Sequence, residues 1–348
     1  GTVMTNKFIN AIYRQNNSRP PVWFMRQAGR YHSHYQKIRA QNSFIDLCKK
    51  PDLATHVTFG PIEDFNFDAA ILFSDLLFPL ESMGMGLSYN EGPELSWHLK
   101  NNSDLSRLRD GNPNDMAFQY QALNQIRSKL SSEKGLIGFV GGPITLFYYA
   151  VEGSHKGDLS SARAGLIDGR YQEFVKKLVP LLTQNMIQQA QAGADAVALF
   201  DTCAGELDPD TYQKIAVPTL SEVMKLFKER CPNTPLIYYS KNTTPRHWSS
   251  LIGLPFQCLG IDWNHSLYDT LSYWTQHWSI QGNVDPHWLF LETDVLKAKL
   301  KDLFLSIRQL PQSVRAGWIC GLGHGVLPKT PEKNVRAFID LQREIFES

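Results

Sequence analysis

Arg26 and Arg30 stand four residues apart in the run Arg26-Gln27-Ala28-Gly29-Arg30. A guanidinium binds a carboxylate through two parallel hydrogen bonds, so two of them close together suit a substrate carrying several acids. Asp75 is a lone acid at the end of Ala-Ala-Ile-Leu-Phe-Ser. It reads either as a catalytic carboxylate or as the N-cap of a following helix, a place that Ser and Asp favour. The arginines likewise read either as substrate cations or as an i,i+4 pair serving structural carboxylates. Tyr149, Thr202 and His324 add hydroxyl and imidazole groups, His324 as a further cationic donor. Asp201 and Asp262 also follow apolar runs and are read as structural. Cys203 could be a nucleophile or ligand, although a lone cysteine reads first as a small buried apolar residue. His32 and His34 alternate on a polar segment and are read as solvated. The chain has no CxxC, HExxH or His-x-Cys pair, so no metal site is expected. The run Gly321-Leu322-Gly323-His324-Gly325 lacks the Gly-Lys-Ser/Thr ending of a P-loop, and 138–143 is no GxGxxG fingerprint.

These residues share a position in a repeated rhythm. Short apolar runs lie at 22–25, 69–73, 136–140, 194–200, 236–239, 258–261, 278–281 and 317–320. Several are apolar throughout, as parallel strands covered on both faces must be. Helical patterns lie between them. At 171–191 Phe174, Leu178, Leu181, Leu182, Met186 and Ile187 recur at helical spacing, with Pro180 predicting a kink or break. Further helices are expected at 220–230 and 334–346. Eight strands alternating with helices predict an α/β fold, a single (β/α)8 TIM-type barrel, with a doubly wound open sheet as the alternative. A small β-hairpin with a Gly-Pro turn at 86–97 interrupts the rhythm after strand 2. In a barrel the loops at the carboxyl ends of the strands carry the chemistry, and every residue singled out above follows a strand.

The 348 residues hold 35 Lys and Arg against 34 Asp and Glu, a net charge of +1, which argues against a basic nucleic-acid binder and against an acidic disordered tail. Five scattered cysteines, an odd count, suit a reducing compartment, and a cytoplasmic setting is expected. The longest uncharged stretch, 135–151, carries Gly141-Gly142-Pro143 in its middle and reads as strand and turn rather than a membrane span. Gly1 to Val3 read as an expression remnant before a natural start at Met4, leaving one barrel domain over 4–348.

The run Pro21-Val22-Trp23-Phe24-Met25-Arg26-Gln27-Ala28-Gly29-Arg30-Tyr31 closely resembles the N-terminal motif of the uroporphyrinogen decarboxylase family. The likeness continues in order through Phe73-Ser74-Asp75-Leu76-Leu77, 138–146, Tyr149, Val151-Glu152-Gly153, 191–196, 281–286 and Leu322-Gly323-His324-Gly325. Three positions depart from it: Cys203 stands where the family often has Trp, Cys320-Gly321 where Phe-Asn or Asn is usual, and His34 where Glu is common. The resemblance implies a (β/α)8 barrel, usually a homodimer. Its substrate would be uroporphyrinogen, whose four acetates become the methyls of coproporphyrinogen in haem biosynthesis. A pyrrole protonated on a ring carbon is its own electron sink, so neither cofactor nor metal is implied. Asp75 would stabilise the pyrrole cation, Arg26 and Arg30 would hold carboxylates, and Arg26 is also a proton-donor candidate. Gln27, Ala28, Gly29, Tyr149, Thr202 and His324 would contact substrate, and Phe44 and Phe200 would pack on the macrocycle. Two rivals stand beside this reading. One is a methyltransferase acting with a corrinoid or methionine, which would need zinc ligands of His and Cys. The other is a tetrapyrrole-binding protein without turnover.

Overall fold

The computed structural model describes residues 6–347. The remnant expected at 1–3, the start at Met4 and the final Ser348 lie outside the described residues. Seven parallel strands form one sheet: β1 (Ala69–Ile71), β4 (Gly135–Gly141), β5 (Ala196–Asp201), β6 (Leu236–Ser240), β7 (Cys258–Gly260), β8 (Ser279–Val284) and β9 (Trp318–Leu322), with β2 (Leu87–Tyr89) and β3 (Pro93–Leu95) set apart in a hairpin. Neighbours in the sheet follow chain order without reversal, which a doubly wound sheet would require. All residues of β4, β6, β8 and β9 are buried. Their apolar runs therefore have no wet face, as the sequence pattern demands.

The first expected strand, 22–25, is only a single parallel bridge from Val22 to Cys320. It still closes the barrel. Trp23 N donates to Cys320 O at 3.2 Å, Cys320 N to Pro21 O at 2.8 Å, and on the other side Asp68 N to Val22 O at 2.9 Å. The ladder is short for a local reason. Pro20 and Pro21 carry no N–H, and the chain turns at Arg26, whose φ is +59°. The stave is locked instead by side chains. Arg19 Nη1 and Nη2 donate to the two oxygens of Asp68 at 2.7 and 2.9 Å, and Val22 N donates to Asp68 Oδ2 at 2.7 Å.

Helices cover the outside. The helix Arg170–Gln191 buries the expected stripe, but it runs unbroken through Pro180. Val179, Leu181 and Leu182 are buried on either side of the proline, and that packing offsets the missing hydrogen bond. Helices Val217–Arg230 and Glu332–Glu347 stand where expected, each a few residues longer. The last seals the closure, with Phe338 edge-on to Phe24 at 4.8 Å. The hairpin is present as β2 (Leu87–Tyr89) and β3 (Pro93–Leu95), antiparallel, with Tyr89 opposite Pro93.

Candidate active site

The loops at the carboxyl ends of the strands enclose a cavity of about 380 Å³. Arg26, Ala28, Gly29, Arg30, Phe44, Asp75, Tyr149, Thr202, Phe200 and His324 all line it. Residues from six separate stretches of sequence therefore meet in one cleft, and Asp75 and His324 lie at the same end of the barrel. Ion pairing does not consume the arginines. Both are exposed, and among the described residues neither guanidinium pairs with a carboxylate. The segment between them is a set of turns, not a helix start. Gly325 makes room for Arg26: a Cβ there would lie 2.6 Å from Arg26 Cδ.

Gln27 is the exception. It is 1 % exposed and does not line the cavity. Its Oε1 accepts from Phe24 N at 3.1 Å, and its Nε2 donates to Ala69 O at 2.9 Å. The amide spans the gap between the first stave and β1, satisfying backbone groups that the short ladder leaves over. Its expected contact with substrate is corrected to a bracing role.

Asp75 follows β1 by way of Leu72, Phe73 and Ser74, and opens onto the cavity. Burial raises its carboxyl above the ordinary value, while the Tyr89 hydroxyl, the amides of Leu77 and Leu76 and the charge of Arg26 pull the other way. It does not cap a helix. The N-cap of Phe78–Ser82 is Leu77, and Leu77 N reaches Asp75 Oδ2 only at 3.4 Å. The stronger partner, Tyr89 Oη, donates to Asp75 Oδ2 from β2. Turn signals in the sequence mark the hairpin but not the role of this tyrosine, because no local pattern shows where a hairpin tip will dock.

His324 is neutral rather than cationic, which corrects its assignment as a charged donor. Burial, with Arg26 and Lys241 nearby, pushes its imidazole down to about 3. The ring stacks between Tyr239 at 6.0 Å and Trp263 at 6.4 Å. Tyr149 Oη shares a 2.6 Å hydrogen bond with His155 Nδ1. Phe44 packs on Phe73 at 5.7 Å and Tyr89 at 4.6 Å, and Phe200 on Phe139 at 5.5 Å, and both present apolar faces to the cavity. Phe73, Phe139 and Tyr239 line the cavity too and were not foreseen.

The residues read as structural are so. Asp201 is fully buried, accepting from Thr145 N, Thr145 Oγ1 and Tyr238 Oη at 3.1, 2.7 and 2.8 Å. Asp262 accepts from Asn242 N and Asn264 N at 2.6 and 2.8 Å. Cys203 is 2 % exposed and burial pushes its thiol up to about 12, so it is no nucleophile at neutral pH. His32 is not solvated, and His34 is only half-buried. His32 is fully buried, with Nε2 2.6 Å from Asp64 Oδ2 and 3.4 Å from Glu332 Oε1. Those three residues form a group able to hold a metal ion, away from the cavity. The His34 ring occupies the space that a Cβ on Gly60 would fill and meets His56 at 4.9 Å.

The cleft thus combines free cations, one acid, neutral polar groups and aromatic walls. This suits a flat, apolar body edged with carboxylates. Residues 4–345 match the family model described as uroporphyrinogen decarboxylase (URO-D). A uroporphyrinogen decarboxylase of Koribacter versatilis is 34% identical over 345 residues, covering 98% of this chain and 95% of that one. Another, of Geobacter sulfurreducens, is 34% identical over 335 residues, covering 95% and 96%. Among solved structures, a methyltransferase from Methanosarcina mazei superposes with a TM-score of 0.74 at 17% identity, covering 99% of this chain and all of its own. A putative vitamin-B12 independent methionine synthase from Listeria monocytogenes has a TM-score of 0.57 at 13% identity, covering 94% and 97%. Likeness at that identity shows the barrel and nothing of the chemistry.

Proposed function

The chain belongs to the uroporphyrinogen decarboxylase family, and from that premise we propose how its own residues carry the reaction. It is a carboxy-lyase of porphyrin biosynthesis, converting the four acetates of uroporphyrinogen to the methyls of coproporphyrinogen. The substrate is an uncharged macrocycle edged with acetates and propionates. Arg26 and Arg30 bind those carboxylates. Phe44 and Phe200 pack on the macrocycle, with Ala28 and Gly29 leaving it room. Tyr149, Thr202 and neutral His324 orient the side chain that reacts.

Each turn begins with a proton added to a ring carbon of one pyrrole. The ring becomes an iminium-like cation. The bond from the acetate methylene to its carboxylate then breaks, and its electron pair enters the ring as CO2 leaves. A second proton converts the exocyclic methylene to methyl, and loss of the first restores the pyrrole. The net change is one proton taken up and one CO2 released. Asp75 accepts the pyrrole N–H groups and offsets the cation in the transition state, where a fixed charge in a dry site acts most strongly. Arg26 is the cation whose charge acts on Asp75 and the candidate donor to carbon, through a relayed water because guanidinium is a very weak acid.

The observation that carries this reading is Asp75 sharing one cleft with two arginines that, among the described residues, form no ion pair with a carboxylate. Among the described residues the cavity wall holds one histidine, His324, and no cysteine, so these offer no thiolate–imidazole set for the methyltransferase alternative. We extend the reading to one barrel domain over 4–348, a homodimer, and a cytoplasmic setting. The five cysteines are all free, which suits a reducing compartment, and no helix among the described residues is long and apolar enough to cross a membrane. Incubation with uroporphyrinogen under reducing conditions, then oxidation and separation of the porphyrins by carboxylate count, tests the function. Species should descend from eight carboxylates to four. Recovery of the eight-carboxylate porphyrin alone would leave only a binding role. Sedimentation at micromolar concentration tests the dimer.

A further inference from the structure

We propose that Tyr89, carried into the site by the hairpin, is a positioning residue that holds Asp75 Oδ2 and so aims Oδ1 at the substrate pyrroles. The proposal rests on the catalytic reading of Asp75 given above. Three observations support it. First, Tyr89 Oη donates to Asp75 Oδ2. The Leu77 amide, at 3.4 Å, ends on the same oxygen and is too long to fix the carboxylate by itself. Second, Tyr89 does not line the cavity, whereas its hairpin partner Pro93 does. The hydroxyl therefore acts from behind Asp75 and touches no substrate. Third, the ring is held independently of that hydrogen bond, by Phe44 at 4.6 Å and by the register of β2 with β3. A phenol on a braced hairpin is a stiff donor, and stiffness is what an electrostatic group needs in order to act without reorganising.

The groups that face this pair fix the sign of the pH effect. Asp75 faces Arg26 from the first stave, Cys48 from helix Phe44–Lys49 and Tyr149 from helix Pro143–Glu152. Burial keeps the Cys48 thiol and the Tyr149 phenol protonated, so Arg26 is the only charge among them at neutral pH. Tyr89 also faces Glu81, which Lys49 engages at 2.7 Å. A donor to the ionised carboxylate favours that form. Its removal leaves a larger fraction of Asp75 protonated at any given pH. Turnover that needs the carboxylate should then fall off at a higher pH than before.

Tyr89→Phe keeps the ring and removes the donor. The expected result is an unchanged thermal melt, an unchanged KM, a kcat lower by about tenfold at neutral pH, the size of one charge-assisted hydrogen bond, and an acidic limb of the kcat profile moved upward. Site-specific 3-fluorotyrosine at position 89, a more acidic phenol of nearly the same shape, should move that limb the other way. Combined with Asp75→Asn, Tyr89→Phe should cost nothing further, because it acts through the carboxylate. A wild-type pH profile for Tyr89→Phe, a change confined to KM, or losses that add in the double variant would each overturn the proposal. Failure of the underlying reading looks different: Asp75→Asn alone would then turn over at the wild-type rate, whatever Tyr89 does.

Discussion

Two residues make the site what it is, and each can be asked separately. Asp75→Asn keeps an acceptor for one N–H but cannot offset positive charge. Turnover should fall by about 10²–10³, the usual cost of losing one preorganised group, with KM changing less. Because Leu77 rather than Asp75 stands at the N-cap, the melt should not move. Steady-state kinetics and thermal unfolding of the one variant check both halves, and wild-type turnover would refute the role. His324 makes the opposite kind of prediction. Its imidazole is pushed down to about 3 by burial and by Arg26 and Lys241, so it stays neutral across the working range. An NMR titration of the free protein should show the His324 ring unchanged from about pH 8 to about pH 5. A midpoint near the ordinary histidine value would return it to the cationic donors. A neutral ring can donate one N–H to a substrate carboxylate without adding to the charge that Arg26 and Arg30 already supply.

At the scale of elements, the site depends on how closely loops approach strands. Gly142 begins the helix Pro143–Glu152, and a Cβ there would lie 2.3 Å from Asp201 Cγ. That carboxylate cannot move away, since Thr145 and Tyr238 hold both its oxygens. Gly142→Ala should therefore destabilise by about 1–3 kcal/mol, as overpacking does. It should also weaken turnover by displacing Thr202, the next residue along. Urea unfolding and kcat measured on the same preparation test this, and a neutral stability change would show that the loop yields. The hairpin is the other element with a function. Its strands are three residues each, too short to be stable alone, and it is ordered because Leu87, Leu95 and the Tyr89 ring, the last against Phe44, dock on the barrel.

For the whole molecule, the critical joint is the barrel closure. The Pro20-Pro21 stave makes too few ladder bonds to seal the sheet, and the Arg19–Asp68 pair supplies the rest. Both residues are under a tenth exposed. Burial alone would raise the Asp68 carboxyl, but hydrogen bonds and charge from Arg19, with the Val22 amide, bring it below its ordinary value. Asp68→Ala removes both bonds to Arg19 Nη1 and Nη2, leaving the buried guanidinium the Glu347 carboxylate, at 2.9 Å, as its one ion-pair partner among the described residues, and should cost about 3 kcal/mol. The linkage has a definite sign. A carboxyl depressed in the folded state contributes stability above its unfolded pKa, and that stability is lost as the pH falls through the folded value. Wild-type unfolding free energy should drop on acidification below about pH 4, and the drop should be smaller in Asp68→Asn. Denaturant unfolding across the acid range measures it, and parallel curves for the two proteins would remove Asp68 from the account.

The barrel was legible in the sequence because burial on both faces forces apolar runs, and seven of the eight runs became strands within a few residues. The site was legible in outline for a related reason: barrel chemistry stands at strand ends, so position along the rhythm located Arg26, Asp75, Thr202 and His324 before any contact was known. Local pattern could not say which polar residue faces the cavity and which faces the frame. Gln27 lies within the arginine motif yet turns inward to satisfy the gap beside β1, and His32 is enclosed by Asp64 and Glu332 from distant segments. Nor could it foresee charge states. The neutrality of His324 and the raised carboxyl of Asp75 come from burial and from neighbours far along the chain. Tyr89 is the clearest case. Composition and turn signals announced its hairpin, but only the packed structure brings its hydroxyl to Asp75, because hydrogen-bond partners are chosen by tertiary distance and sequence encodes that distance only through the whole fold.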